Sequence, residues 1–233
     1  MPSKRRNAKR RSTARSARKR SGSSTYLLIG AAVLVALIAF ALIVLLGRGS
    51  GSPNAQPGTA PGEVSYGSAS APVVVVEYAD FQCPYCREFA VGPELQLRKD
   101  YADKDLVRFV FRNFPFIGQE STWAAEAAEC ANDQGRFWDY HDKLYQEQGA
   151  ENSGAFAKDN LKHFAADLGL DTTQFNACVD SGKYASLVRD GYNEAQRRQI
   201  NSTPTLLVDG QLVTNGSSYP VLQAAIEAAL KTH

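Results

Sequence analysis

Histidine is scarce in this sequence, and its three copies, His141, His163 and His233, are scattered. Cysteine occurs four times and makes a single C-x-x-C, Cys83-Pro84-Tyr85-Cys86. A C-x-x-C is half of a zinc site and needs two further ligands. No second C-x-x-C exists, and the histidines do not cluster, so the pattern argues against a bound metal. No internal repeat is visible. Residues 1–25 lack any acidic side chain, and residues 26–46 lack any charge.

What is present is unevenly distributed. The first 25 residues hold ten Lys or Arg; with those and Arg48 set aside, 15 basic residues face 24 acidic ones, a net charge of −9. The run Tyr26–Leu46 has 21 residues. As a helix it reaches ~30 Å, enough to cross the hydrocarbon layer. Basic residues crowd its N-terminal side, which places residues 1–25 in the cytoplasm and the remainder outside. A cleaved signal peptide is the alternative, but the run is long for a signal core and no A-x-A-like site follows it. The basic tail reads as a topology signal attracted to anionic lipid. Nucleic-acid binding is the rival reading, against which stand the missing aromatics and the adjoining span. Residues 47–62, "GRGSGSPNAQPGTAPG", are a linker spanning ~20 Å as a loose coil.

The folded part runs from residue 63 to 233. "PVVVVEYA" is too continuously apolar for a half-exposed strand and predicts a buried central one. A helix is expected from Cys83 to about Tyr101, kinked at Gly92-Pro93. "DLVRFVFRNF" alternates and predicts a second strand. From Ser121 to Ile200 the period becomes helical. Trp123, Ala127, Cys130 and Ala131 share one face, Phe137, Tyr140, His141 and Leu144 a second, and Leu161, Phe164, Ala165 and Leu168 a third. "TPTLLVDGQLV" predicts a hairpin turning at Asp209-Gly210, and a closing helix covers Tyr219–Lys231. The order implies a mixed α/β core with a helical insertion at about residues 115–200.

All four cysteines lie beyond the apolar span, in an oxidising compartment if the topology holds. Cys83 and Cys86 can pair at the head of one helix, which leaves Cys130 and Cys178 for each other. A bridge closing that long loop stabilises by about 4 kcal/mol in the chain-entropy model, whereas a Cys83–Cys86 bridge closes almost no loop. The distant pair therefore reads as structural and the near pair as functional. Pro84 suits the first helical position, so Cys83 is the N-cap. Its sulfur faces the free amides of Tyr85 and Cys86 and the positive end of the helix dipole, which favours thiolate. Cys86, one turn deeper, is shielded and can resolve a mixed disulfide. An inert disulfide at a helix start is the plain alternative.

Three further features bear on redox work. Glu77, six residues before Cys83, either faces the interior beneath the cysteines, where it could exchange a proton with Cys86, or is an edge residue paired with an Arg. Thr203-Pro204 precedes a strand as either a cis bend that exposes the Thr203 backbone to an extended polypeptide or an ordinary trans turn. Phe81, Tyr85 and Phe116 form either an apolar surface near the sulfurs or plain core.

The segments "VVVVEYADFQCPYCREFA", "FRNFPF", "AAECANDQGRFWDYHDKLY", "FNACVDSGKYASLV" and "STPTLLVDGQLV" together resemble the DsbA-like thiol-disulfide oxidoreductases, and most resemble the membrane-anchored bacterial members. The likeness covers about residues 63–232. It implies a thioredoxin fold with a helical insertion, preceded here by one N-terminal transmembrane helix. It gives Cys83 the role of exchanging cysteine and Cys86 that of resolving cysteine. By the same likeness Pro204 is cis and Glu77 is the acidic residue before the motif; Thr203, Pro204, Pro84 and Tyr85 are the expected substrate-binding residues. A second disulfide within the insertion fits Cys130 and Cys178. Tyr85 stands where the best-known member has His, and cannot stabilise a thiolate as a cation. The implied activity is oxidation of thiols in exported proteins, without a soluble cofactor, with reoxidation by a membrane quinone-linked partner of the DsbB or vitamin K epoxide reductase type. A reductase or isomerase of the same fold and a non-catalytic holding chaperone are the rivals.

Overall fold

The computed structural model describes residues 64–233. The basic tail, the apolar run at 26–46 and the linker at 47–62 lie outside them. Among the described residues no helix is long and apolar enough to cross a membrane.

A five-stranded sheet in the order β1-β3-β2-β4-β5 forms the centre. Its strands are β1 (Val64–Tyr66), β2 (Val73–Ala79), β3 (Val107–Asn113), β4 (Thr205–Val208) and β5 (Gln211–Leu212). β2 is parallel to β3 and antiparallel to β4. A parallel pair needs a crossover connection, supplied here by α1 (Pro84–Phe89) and α2 (Leu95–Asp100). β1 pairs antiparallel with β3 from Val64↔Phe111 to Tyr66↔Phe109.

β2 is buried on both faces. With a period of two, Val73 and Val75 pack with Phe89, Leu97 and, from α8 (Tyr219–Leu230), Leu222 and Ile226. Val76 and Tyr78 point the other way, onto Ala195 and Tyr192 of α7 (Ala185–Arg197). Gly191 permits that approach: a Cβ there would lie 2.9 Å from the Asn113 carbonyl oxygen.

The expected helix over 83–101 is three pieces. Between α1 and α2 a π-helical turn, Ala90–Glu94, contains Pro93. Proline removes one amide donor and crowds the preceding turn, and the wider turn accommodates it. Glu94, the last residue of this turn, is wholly buried.

Between β3 and β4 lie α3 (Gln119–Asn132), α4 (Phe137–Gln146), α5 (Lys158–Asp167), α6 (Thr172–Ser181) and α7. Cys130 on α3 is bonded to Cys178 on α6 across a separation of 48 residues. The helical faces read from the sequence are buried at Ala127, Cys130, Ala131, Phe137, Tyr140, His141, Leu144, Leu161 and Ala165, while Trp123, Phe164 and Leu168 are half-buried at their rim.

Candidate active site

Cys83 is the residue before α1, with extended φ −70° and ψ 121°, and Pro84 opens the helix. The tight turn from β2 into α1 is held from several directions. The Cys83 amide donates to the Asp80 carbonyl at 3.0 Å. The buried Asp80 carboxylate accepts from the amides of Gln82 (2.8 Å), Phe116 (2.9 Å) and Ile117 (3.0 Å). Gln148 donates its side-chain amide to the carbonyls of Phe81 (2.7 Å) and Cys83 (3.0 Å). Sequence reasoning missed both residues. Asp80, two before Gln82, carries the signal of an Asx turn; Gln148 carries none.

Both motif cysteines are thiols, Cys86 wholly buried and Cys83 retaining 5 % of its surface. The Cys83 thiol donates to the Thr203 carbonyl at 3.5 Å, and the Thr203-Pro204 peptide is cis. Cys83 is lowered to about 6, first by the Cys86 thiol, then by Thr203 and the amides of Cys86 and Tyr85, against the opposing effect of burial. Cys86 is pushed well up by burial, by its hydrogen bond to Cys83 and by the charge of Glu77. The amides of Tyr85 and Cys86 act in the expected direction, and the neighbouring thiol, one turn deeper, acts most strongly.

Glu77 is interior. It lies on the central strand between Phe111 of β3 and Leu206 of β4, fully buried. Neither of its oxygens has a hydrogen-bond partner. Burial, and next the charge of Glu94, push its carboxyl well above the usual range; Arg98 opposes them. Around it stands a cluster that sequence reasoning missed. Glu94 is ion-paired with Arg98, whose Nη2 lies 3.1 Å from Asp142 Oδ1 and 3.2 Å from His141 Nδ1. The i,i+4 spacing of Glu94 and Arg98 was visible, but such a pair ordinarily marks an exposed face.

The three aromatics separate. Phe81 is buried and stacked on Phe111 at 5.2 Å, whereas Tyr85 is 67 % and Phe116 45 % exposed. Tyr85, Thr203, Pro204, Leu212 and Val213 border a groove of about 380 Å³ beside the cysteines. Among the described residues no three His, Cys, Asp or Glu are grouped to hold a metal ion.

A family model described as thioredoxin matches residues 59–228. Disulfide bond formation protein D of Bacillus subtilis is 31 % identical, covering 79 % of this chain and 84 % of that protein. A probable disulfide bond formation protein D of Bacillus anthracis is 33 % identical over 72 % of this chain and 78 % of its own length. Among solved structures, oxidised BdbD from Bacillus subtilis superposes with a TM-score of 0.69 at 31 % identity, covering 73 % of this chain and 94 % of that one. A buried C-x-x-C at a strand-to-helix turn, on a sheet shared with relatives matched over most of their length, is the arrangement of a dithiol that exchanges bridges, and the chain belongs to the DsbA-like thiol-disulfide oxidoreductases of the thioredoxin family.

Proposed function

We propose that the chain is an extracytoplasmic oxidase of protein thiols, tethered to the membrane through residues 26–46, that introduces disulfides into exported proteins through Cys83 and Cys86. One observation carries this reading: the two sulfurs differ sharply in acidity, Cys83 lowered to about 6 and Cys86 pushed well up beside buried Glu77. A thiolate stable at neutral pH stabilises the dithiol form and leaves readily, which makes the disulfide form an oxidant.

A client thiolate attacks Cys83, and the Cys83–Cys86 bond breaks. Cys86 leaves with the electron pair and takes a proton from Glu77. A second client thiolate then attacks the client sulfur of the mixed disulfide, and Cys83 leaves as thiolate. Two electrons have passed from client to enzyme. A membrane quinone-linked reoxidase of the DsbB or vitamin K epoxide reductase type removes them, and Cys86 returns its proton to Glu77. The sulfurs carry the electrons, so no bound cofactor is required. Exposed Tyr85, with Thr203 and Pro204, borders the groove that receives the client, and Pro84, next to Tyr85 in the chain, is exposed as well. Cys130 and Cys178 brace the helical insertion. The basic tail at 1–25 stays cytoplasmic, without a nucleic-acid partner.

The reduction potential of Cys83–Cys86 in the full chain tests this, together with oxidation of a reduced, unfolded protein. The expected potential is at or above about −180 mV, whereas one near about −270 mV makes the protein a reductase. Full cellular function in Cys83→Ser would replace catalysis with a holding-chaperone role.

A further inference from the structure

We propose that the open sheet edge at β5 is a strand-addition site for the client: an extended segment of the unfolded polypeptide pairs with the Leu212 backbone and lays alternate apolar side chains against α8. This rests on the client reading given above and assigns where the client is held away from its cysteine.

The sheet ladder fixes which way Leu212 faces. In an antiparallel pair, hydrogen-bonded residue pairs alternate with non-hydrogen-bonded ones. The Val213 amide donates to the Leu206 carbonyl at 2.9 Å, which makes those two a bonded pair. In the same register Leu212 stands opposite Leu207 and Gln211 opposite Val208, so Leu207 and Leu212 are a non-bonded pair. The far side of β4 agrees. The Asp209 amide donates to the Val74 carbonyl at 2.9 Å, and by that register Leu207 bonds Val76 of β2. The N–H and C=O of Leu212 therefore point outward, off the edge of the sheet. The opposite edge is treated differently: the Trp138 indole donates to the Ser65 carbonyl of β1 at 3.0 Å. Charge and proline are two devices that protect an edge. β5 is short, but residues 210–214 carry neither, and Leu212 is 66 % exposed.

Beside this edge, on the α8 side, lies a groove of about 570 Å³. Val221, Ala225, Ala228 and Thr232 form one stripe of α8 along it. The stripe flanks Leu222 and Ile226, which bury against the sheet, and it is left uncovered, with Val221 38 % exposed. The alanines leave depth for a partner's side chains. Val213 packs with Leu222 and Ile226, so its side of β5 is the α8 side and Leu212 faces the other way. Successive side chains of a strand point to opposite faces. A strand added at Leu212 thus sends every second side chain into the groove and lays the one between them on Leu212.

Continuity identifies the occupant. Leu212, Val213 and Thr214 line both this groove and the one beside the cysteines that Tyr85, Thr203 and Pro204 border. A polypeptide with its own cysteine at Cys83 continues onto the edge. A second copy of this chain fits poorly: β5 strands paired with each other bring two residues a side, far short of the ~800 Å² per partner of a standard interface. Val213, committed to its own core, could not fill the other copy's groove. Main-chain pairing supplies affinity with little demand on sequence, and the groove adds a preference for apolar residues at alternate positions. The favoured client is an unfolded chain whose cysteine is flanked by such a segment.

The test compares kcat/KM of the oxidised full chain for a short dithiol peptide and for the same peptide extended, at one end or the other, by residues in which Val alternates with Ser. The better extended peptide is expected to exceed the short one by roughly tenfold or more, from two added main-chain hydrogen bonds and buried Val side chains. N-methylation of the extension removes its amide donors, keeps its side chains and is expected to abolish the gain. Val221→Glu and Ala228→Glu, at exposed positions of α8, place a charge in the groove and are expected to bring the ratio toward one. Equal values for extended and short peptides in the native protein would overturn the site and leave the oxidase reading standing. So would a gain that survives N-methylation, or one that survives both substitutions. A dimer in sedimentation that Val221→Glu dissolves would give the edge to a second copy and overturn the site as well. Failure to oxidise any of the peptides, by a chain with its Cys83–Cys86 bridge intact, removes the oxidase reading and the client site with it.

Discussion

The Cys83 sulfur lies 3.5 Å from the carbonyl oxygen of Thr203, 120 residues further along the chain. The reactive turn after β2 and the approach to β4 therefore meet only once the sheet has formed. Thr203 offers two groups at this point. Its carbonyl accepts from the thiol; its hydroxyl is buried with no other partner and is free to donate to a thiolate. Thr203→Val keeps the shape and removes that donor. A hydrogen bond to a charged group is worth about 1.5–3 kcal/mol, so Cys83 should ionise at higher pH in the variant. Ultraviolet titration of the thiolate reads this directly, and an unchanged titration would remove Thr203 from the account.

Cys86 should matter more than Thr203. Its thiol is the largest contributor to the lowered pKa of Cys83, about 6. Cys86→Ala deletes the donor, and Cys86→Ser retains one. The expected order of Cys83 ionisation, from lowest pH to highest, is native, then Cys86→Ser, then Cys86→Ala. Should Cys86→Ala ionise like the native protein, the helix amides would be the dominant influence instead.

The sequence carried the site in outline for physical reasons. β2 could be read because four consecutive valines leave no polar face for water, and the start of α1 because Pro84 is suited to a first helical position. The alternating β3 and the turn at Asp209-Gly210 were equally plain. β1 was missed because three residues are too few to show a period. The cluster of Glu94, Arg98, His141 and Asp142 was missed because burial of a charge is a tertiary property. Glu94 and Arg98 four apart look the same on an exposed helix as on a buried one. The π turn that ends at Glu94 was legible only as a kink at Pro93. The ranking of the influences on Cys83 was hidden because the sequence locates the helix amides but not the direction of a neighbouring S–H.

Glu77 trades stability for chemistry. Its carboxyl is buried without a hydrogen bond, a condition that costs about 1–3 kcal/mol. Glu77→Leu should therefore raise the melting temperature while slowing client oxidation. The sign with pH follows from the raised carboxyl. Between the ordinary carboxylate range and its own raised value, the folded state binds a proton that the unfolded state has lost, so native stability falls as pH rises. The advantage of Glu77→Leu should accordingly grow with pH. A variant that melts lower than native at every pH would show that Glu77 is favourably paired.

The Cys130–Cys178 bridge should be separable from the reactive pair. Closing a loop of 48 residues is worth about 4 kcal/mol in the chain-entropy model. The double substitution Cys130→Ser, Cys178→Ser should lower the unfolding free energy by about that amount and leave the Cys83 titration in place. Denaturant unfolding and thiolate absorbance measure the two quantities independently. A shifted Cys83 titration would mean that the insertion sets the acidity of the site.

Glu129 provides a second pH-dependent element, at the seam between insertion and sheet. It is buried on α3, accepts from the Asn113 side chain at 3.0 Å, and burial raises it from 4.5 to about 7. Below 4.5 both folded and unfolded states bind the proton, and Glu129 adds no slope. Between 4.5 and about 7 only the folded state holds it, so stability declines with rising pH across that window and levels off above it. The full decline is on the order of 3 kcal/mol, less where the ionised seam relaxes. Glu129→Gln keeps an acceptor for Asn113 and removes the titration. It should match the native protein near pH 4.5 and exceed it above pH 7. Denaturant midpoints on either side of the window decide it, and a native slope retained in Glu129→Gln would place the decline elsewhere.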